Sequence, residues 1–341
     1  MKKLFLISTL IVATTILTSF LPSEKSLNEI KKEDPVSDIL KKLGDAPILH
    51  QAKMFKGASA EIGKDLALYG IAKKPKGGST KKQSKHFVCT SCHNTVKEDP
   101  DLRVSDPQAR LNYAKEKGIP FLQGTSLYGI VNRTSFYNGD YDKKYGKLVE
   151  PARNNIREAI QLCAVECAQG RKLKNWEVES VLAWLWTMEL KMEDLNLSEA
   201  DYKTVNAALN KNGDKKAAIK LIKSYYLQGS PATFITPPDD RKAGYNLKGN
   251  PANGKLIYEL SCQHCHKDKR YSYFDLDDEK LTFQHLNKHI SKYTRYSIYQ
   301  VARYGTPPMN GKKAYMPQYT QEKMSDQMME DLRSYIEQRA K

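Results

Sequence analysis

After its first 21 residues, this 341-residue chain has no apolar run long enough to cross a membrane, so no membrane-spanning helix is expected beyond that point. Acidic residues are in deficit: 39 Asp and Glu stand against 55 Lys and Arg, leaving a formal net charge of +16. Cysteine is sparse, with six in the whole chain. Internal repetition is absent except for one five-residue pattern that occurs twice. The hydrophobic fraction of 40% and the aromatic fraction of 9% suit globular domains rather than a disordered chain. At roughly 100–200 residues per domain, the length predicts two.

The repeated pattern is Cys89-Thr90-Ser91-Cys92-His93 and Cys262-Gln263-His264-Cys265-His266. C-x-x-C-H is the attachment signature of c-type haem. Its two thiols reach the two vinyl groups of one porphyrin, and the adjacent histidine is held under the iron. A lone C-x-x-C would also suit a redox dithiol or half a zinc site. The histidine after it, present twice, argues against both. Two covalently bound haem c groups are therefore expected, one in each half of the chain. Cys89, Cys92, Cys262 and Cys265 are the attachment residues, and His93 and His266 the proximal ligands.

Met1-Lys2-Lys3 and the apolar run Leu4 to Leu21 read as a secretory signal peptide over residues 1–22. No clear A-x-A site comes after it, so retention as an anchor is the alternative. Export to the periplasm agrees with haem attachment, which takes place outside the cytoplasm. It also argues against nucleic acid as the reason for the net charge. Small oxyanions, acidic redox partners or an anionic membrane surface fit better, and solvated charged faces fit equally well.

The expected fold class is all-α with long loops: two cytochrome c-like haem domains joined by a helical linker. Residues 23–48 read as a polar tether, 49–195 as the first haem domain, 196–244 as the linker and 245–341 as the second. Lys73 to Lys85 reads as a basic loop, either plainly solvated or an electropositive rim beside the first motif. A helix is expected to open at Glu150-Pro151 and to end at Gly170. It carries Ile156, Ile160, Cys163 and Cys167 on one face. Another is expected over about Trp176 to Met192.

Residues 245–341 resemble a class I cytochrome c domain. A short helix, Lys255 to Leu260, runs into Cys262, and a helix over Ser325 to Arg339 ends the chain. The resemblance implies that these two helices cross beside the haem. It also implies a methionine as distal ligand, in a loop before the last helix. Met316, with Pro317 after it, fits that role best; Met309 and a non-methionine ligand are the alternatives. A thioether ligand raises the redox potential. His285 and His289 suit a metal by spacing but read more simply as polar helix-face residues. His264 reads as exposed and not a ligand.

The first domain lacks such a loop; its methionines are Met54, Met188 and Met192. Four cysteines serve the two haems, which leaves Cys163 and Cys167. Cys163 is the candidate distal ligand, as a thiolate stabilised by the iron. A buried thiol and a Cys163–Cys167 disulfide are the alternatives, the last a poor fit to disulfide geometry.

Three stretches around these residues are similar to the dihaem thiosulfate dehydrogenases. They are Ile62 to Leu66 leading into Phe87 to Asn94, then Gly124-Thr125-Ser126-Leu127-Tyr128-Gly129-Ile130-Val131-Asn132-Arg133, then Ile156 to Cys163 with Gly170-Arg171-Lys172-Leu173 beyond it. The resemblance implies that Cys163 is the distal ligand of the first haem. It implies that two thiosulfate dianions couple to tetrathionate with release of two electrons, or the reverse. The acceptor would be another cytochrome c or a membrane electron carrier. Joining two dianions requires nearby cations, and Arg133, Arg153, Arg157, Arg171 and Lys172 lie in the matching segments. Arg133 and Arg171 are the leading candidates beside Cys163 as catalytic residues. The chain departs from the family in having Cys167-Ala168-Gln169 before the glycine, which makes Cys167 an alternative distal ligand or a second thiol near the iron. The alternative is a dihaem cytochrome c that only transfers electrons. A dihaem peroxidase is disfavoured, because no matching acid/base segment is present.

Overall fold

The computed structural model describes residues 29–53, 55–306 and 316–341. The expected signal peptide, Met54 and the competing ligand Met309 lie outside them. Within them the chain is helical, with no β-strand and only two isolated bridges, Pro35 to Lys191 and Lys73 to Ser79. No helix among the described residues is long and apolar enough to cross a membrane.

The first half carries α1 Val36–Leu43, α2 Ala60–Tyr69, α3 Pro107–Lys117, α4 Asp142–Tyr145, α5 Ile156–Leu162 and α6 Asn175–Trp186. Next come α7 Glu199–Leu209 and α8 Lys215–Ser224. The second half has α9 Pro251–Ile257, α10 Gln263–His266, α11 Lys280–His289, α12 Ile298–Tyr304 and α13 Asp326–Ala340.

The segment expected to be a polar tether holds α1 instead. Val36, Ile39, Leu40 and Leu43 fall on one side of it and are buried, the spacing of an amphipathic helix. They pack with Val205 and Ala208 of α7 and Ala218 and Ile222 of α8. The polar composition of 23–48 describes only the outer face of that helix. The expected linker helices are thus part of a small core of their own.

α2 and α6 pack closely beside the first motif. Gly63 allows this, since a Cβ there would stand 1.9 Å from the Ser180 carbonyl oxygen. The helix expected to open at Pro151 starts later. Asn155 accepts from the Arg157 and Glu158 backbone N–H groups and fixes the first turn of α5 at Ile156. α5 then passes into a π-helical turn, Cys163–Cys167, closed by the Ala168 N–H on the Cys163 carbonyl.

α9 and α13 cross as the class I resemblance implies. A Cβ on Gly254 would lie 2.0 Å from the Asp331 carbonyl oxygen, so only glycine permits the crossing. α13 is capped by the Ser325 side chain, which accepts from the Met328 N–H. The core of this half also takes in Leu111 and Ala114 of α3, with Phe121 just after it. The two halves are therefore not separately packed.

A buried ion cluster joins them. Glu98, 2% exposed, meets Arg110 of α3 at 3.4 Å and Lys323 of the second half at 3.0 Å. It also accepts from the Asn94 amide and the Ser126 N–H. Burial alone pushes this carboxyl up; Arg110 and Lys323 overcome that and hold it below the ordinary carboxylate range.

Both contacts can be tested by substitution. Gly254→Val forces α9 and α13 apart and should cost about 1–3 kcal/mol in chemical denaturation, as overpacking does. Glu98→Gln leaves two buried cations short of their partner and should cost about 3–5 kcal/mol. Because the folded carboxyl is held below its unfolded value of about 4.3, its stabilisation is complete above that pH. It declines as pH falls toward the folded value. Denaturation midpoints between pH 7 and pH 3 should therefore converge for wild type and Glu98→Gln as the pH is lowered.

Candidate functional site

The second C-x-x-C-H motif is delivered by a π-helical turn, Tyr258–Cys262, that continues α9. α10 carries Cys265 and His266. The His266 Nδ1 lies 2.8 Å from the Phe274 carbonyl oxygen, and only an N–H can satisfy that acceptor. Nε2 is thereby left as the lone-pair nitrogen, the arrangement of a metal-binding imidazole. Burial lowers the His266 pKa, which favours the same neutral form. A cavity of about 730 Å³ opens here, lined by Cys262, Cys265, His266 and Met316 and walled by apolar residues such as Leu286 and Leu332. Its size lies in the range of cofactor sites. Met316 reaches it because its N–H is held by Thr306 Oγ1 at 2.8 Å. The chain doubles back at Gly305, with φ +70° and room for no Cβ, since one would lie 2.4 Å from the Met316 carbonyl oxygen. Thiols, imidazole and thioether on one apolar cavity are the donor set a c-type haem needs.

The first motif begins in a single tight turn, Cys89–Ser91. The His93 Nδ1 donates to the Thr125 carbonyl at 2.6 Å. Gly124 lets that segment approach, for a Cβ there would stand 2.7 Å from the ring. This accounts for the glycine that opens Gly124-Thr125-Ser126. On the other side of the ring, Cys163 Sγ lies 4.0 Å from Nε2. Metal–imidazole and metal–thiolate bonds of about 2.0 and 2.3 Å span a gap of that order, so the pair fits one metal centre. Met188 packs in the hydrophobic core of this half, and Met192 is fully buried beside α1.

Cys163 and Cys167 are both free thiols, so the disulfide alternative is not adopted. They hydrogen-bond to each other across the π turn. That turn is braced from outside: Gln83 Nε2 donates to the Ala164 carbonyl at 2.7 Å and Ser84 Oγ to the Ala168 carbonyl at 2.6 Å. The end of the basic loop thus has a structural task. Cys167 also meets Tyr145 Oη at 3.2 Å. Its hydrogen bond from Cys163 lowers its pKa to about 7, with help from Tyr145 and Lys144, while that bond and burial push Cys163 up. A cation bound between His93 and Cys163 would reverse the order, making Cys163 the thiolate and Cys167 the donor.

The arginines expected near the thiols are engaged elsewhere. Arg171 pairs with Glu177 at 2.6 Å and donates to the Lys81 carbonyl at 2.9 Å. Arg133 Nη1 donates to Ser230 Oγ at 2.9 Å and to the Gly229 carbonyl at 3.2 Å. Arg153 pairs with Asp142 and Arg157 with Glu179. All four hold segments of the fold together. The cation that does sit near the thiols is Lys144, whose pKa burial lowers and whose neighbours Cys167 and Cys92 pull it back up.

The two motifs also touch. His264, expected to be exposed, is half-buried, and its ring N–H bonds to the Ser91 backbone. Burial drops its pKa to about 4. Phe87, Cys92 and Gln123 of the first half line the cavity of the second, and the Phe87 and Tyr271 rings lie 6.4 Å apart. The His285 and His289 rings lie 4.6 Å apart, tilted by 38°, beside Tyr296. Among the described residues no group of three or more His, Cys, Asp or Glu could hold a metal ion, and this pair stays part of an aromatic wall.

Comparison with known proteins agrees with the second site. Residues 249–336 match the family model described as Cytochrome C oxidase, cbb3-type, subunit III. No curated protein and no solved structure matches the chain. The matched span contains Cys262, Cys265, His266 and Met316 and ends before the close of α13. The second half is therefore a cytochrome c domain with covalently bound haem c, and the protein works in haem-based electron transfer.

Proposed function

We propose that the chain is an exported, periplasmic dihaem cytochrome c that oxidises thiosulfate to tetrathionate, or catalyses the reverse. The observation that carries this reading is the 4.0 Å approach of Cys163 Sγ to His93 Nε2. A pure carrier needs no thiol there. A second thiol beside the first, on the same π turn, suits a sulfur substrate better than an inert ligand.

In this reading Cys89 and Cys92 would attach the first haem, and His93 and Cys163 would hold it. Cys262 and Cys265 would attach the second, held by His266 and Met316. When bound, the haems would supply one-electron acceptors, the one held by a thiolate at the lower potential. The chain's own residues hold the sulfur oxyanions and exclude water. Two thiosulfate dianions form one S–S bond between their outer sulfurs and release two electrons, with no proton exchanged. The electrons leave singly to a small cytochrome c or a membrane electron carrier. The contact between the two motifs gives the electrons a short route across the molecule.

A second reading, a dihaem electron carrier without substrate chemistry, is favoured by one observation. Arg133 and Arg171, the cations implied by the resemblance, are committed to structural partners.

The test compares wild type, Cys163→Ala and Cys167→Ala by low-temperature EPR and by ferricyanide-coupled thiosulfate oxidation. Cys163→Ala should lose a thiolate-type low-spin signal. Its turnover should fall by roughly 10²-fold or more, the scale for removing a group at the reacting atoms. Cys167→Ala should keep the signal. Wild type that holds two haems but never turns over thiosulfate or tetrathionate would establish the carrier reading instead.

A further inference from the structure

Beside Cys163 and Cys167 stands a group of aromatic side chains and a lysine. α4 supplies Lys144 and Tyr145. Tyr145 Oη is 3.2 Å from Cys167 Sγ. Tyr141 stacks on Tyr145, with ring centroids 6.2 Å apart and planes 7° from parallel. Phe234 meets Tyr141 edge-on at 4.9 Å.

Phe234 belongs to the segment that connects the two halves, and that segment is strapped onto the first half at several points. Its N–H donates to the Asp140 carboxylate. The Asn138 amide donates to the Ala232 carbonyl at 2.7 Å. Glu322 of the second half accepts from Thr233. The strap fixes one side of this group.

Lys144 Nζ lies 5.4 Å from the Tyr145 ring centroid and 5.8 Å from that of Phe234. Both are cation–π distances. It is half-buried, yet among the described residues no carboxylate forms an ion pair with it. That sets it apart from Arg153, Arg157 and Arg171, each of which has its acid. A cation drawn from water into an aromatic setting without a counter-ion is costly, and an anion entering the same space recovers the cost. Cys167 and Cys92 are the ionisable groups that act on its charge, which places it within electrostatic reach of the thiols.

We propose that Lys144 and Tyr145 form an anion-binding subsite beside Cys163 and Cys167 that takes a small, doubly charged sulfur oxyanion. The ammonium offsets the charge of the bound dianion, and the tyrosine hydroxyl donates to an oxygen while Cys167 is turned toward its sulfur. Tyr141 and Phe234 shape the space and lower its dielectric constant, which strengthens the charge interaction. The identity of the oxyanion rests on the function proposed above; the existence of the subsite does not.

The experiment uses the purified full-length haem-loaded protein. Sulfite is titrated into the oxidised protein and monitored by its visible absorbance, and the KM for thiosulfate is measured separately with ferricyanide. Lys144→Met should weaken sulfite binding and raise KM by about tenfold or more, with kcat changed much less. Lys144→Arg should stay within about threefold of wild type, since charge is retained. Lys144→Gln gives the same neutral comparison if methionine disturbs the fold, judged by the absorbance spectrum before sulfite is added. Unchanged sulfite binding in the neutral variants, or no sulfite binding by wild type, overturns the subsite. Binding that depends on Lys144 in a protein without thiosulfate turnover keeps the subsite and removes the functional reading.

Discussion

One buried carboxylate organises the molecule. Glu98 accepts from the Asn94 amide, next to His93, and from the Ser126 N–H, next to the carbonyl that orients the His93 ring. It also binds Arg110 on α3 and Lys323 from the second half. The position of His93, the loop that fixes its tautomer and the join between halves are thus set at one point. A charge so deep is tolerable only with partners on every side. Arg110 is itself shared: it donates to the Leu122 carbonyl and lies over the Phe121 ring at 4.4 Å, and Phe121 bonds to Leu260 just before the second motif. Two sites that look independent in the sequence are held in register by this cluster.

Both sites use the same local device. A π turn ends α9 at Cys262 and another extends α5 from Cys163. Such turns insert a residue into the helix and re-aim the side chains beyond it, and they recur at functional sites. At Cys163 the Ala164 and Ala168 carbonyls are taken up by Gln83 and Ser84, so the widened turn keeps these acceptors satisfied. The result is a pair of thiols that share a hydrogen bond, where a straight α-helix would have spaced them along one face.

The two C-x-x-C-H motifs stand out in the sequence because covalent haem attachment demands a fixed short spacing. The crossing of α9 and α13 was legible through the class I resemblance, and the structure adds the reason, Gly254 at the contact. The amphipathic face of α1 was missed because its charged outer residues dominate the composition around four buried ones. The arginines show a different limit of sequence. Sequence reports that a charge exists in a matching segment but not whether an acid elsewhere in the chain claims it. Glu177 and Glu179, on a single helix, claim Arg171 and Arg157. The contact of His264 with Ser91 joins residues far apart in the chain, and no local pattern carries that information.

The two sites differ in what surrounds them, and the difference has a direction. Apolar side chains wall the cavity of His266 and Met316, and an apolar setting with a thioether favours the less charged, reduced form of an iron centre. Beside Cys163 and Cys167 stand the Tyr145 hydroxyl and Lys144, a more polar setting, which the proposed reading assigns to anions and to the oxidised form. Under the proposed reading, the gradient from anion-binding to apolar surroundings sets the direction of electron flow. His264 and Phe87 lie where the two environments meet. Because the Glu98 cluster joins the halves beside that seam, the same charges would, under the proposed reading, also hold the spacing across which electrons pass.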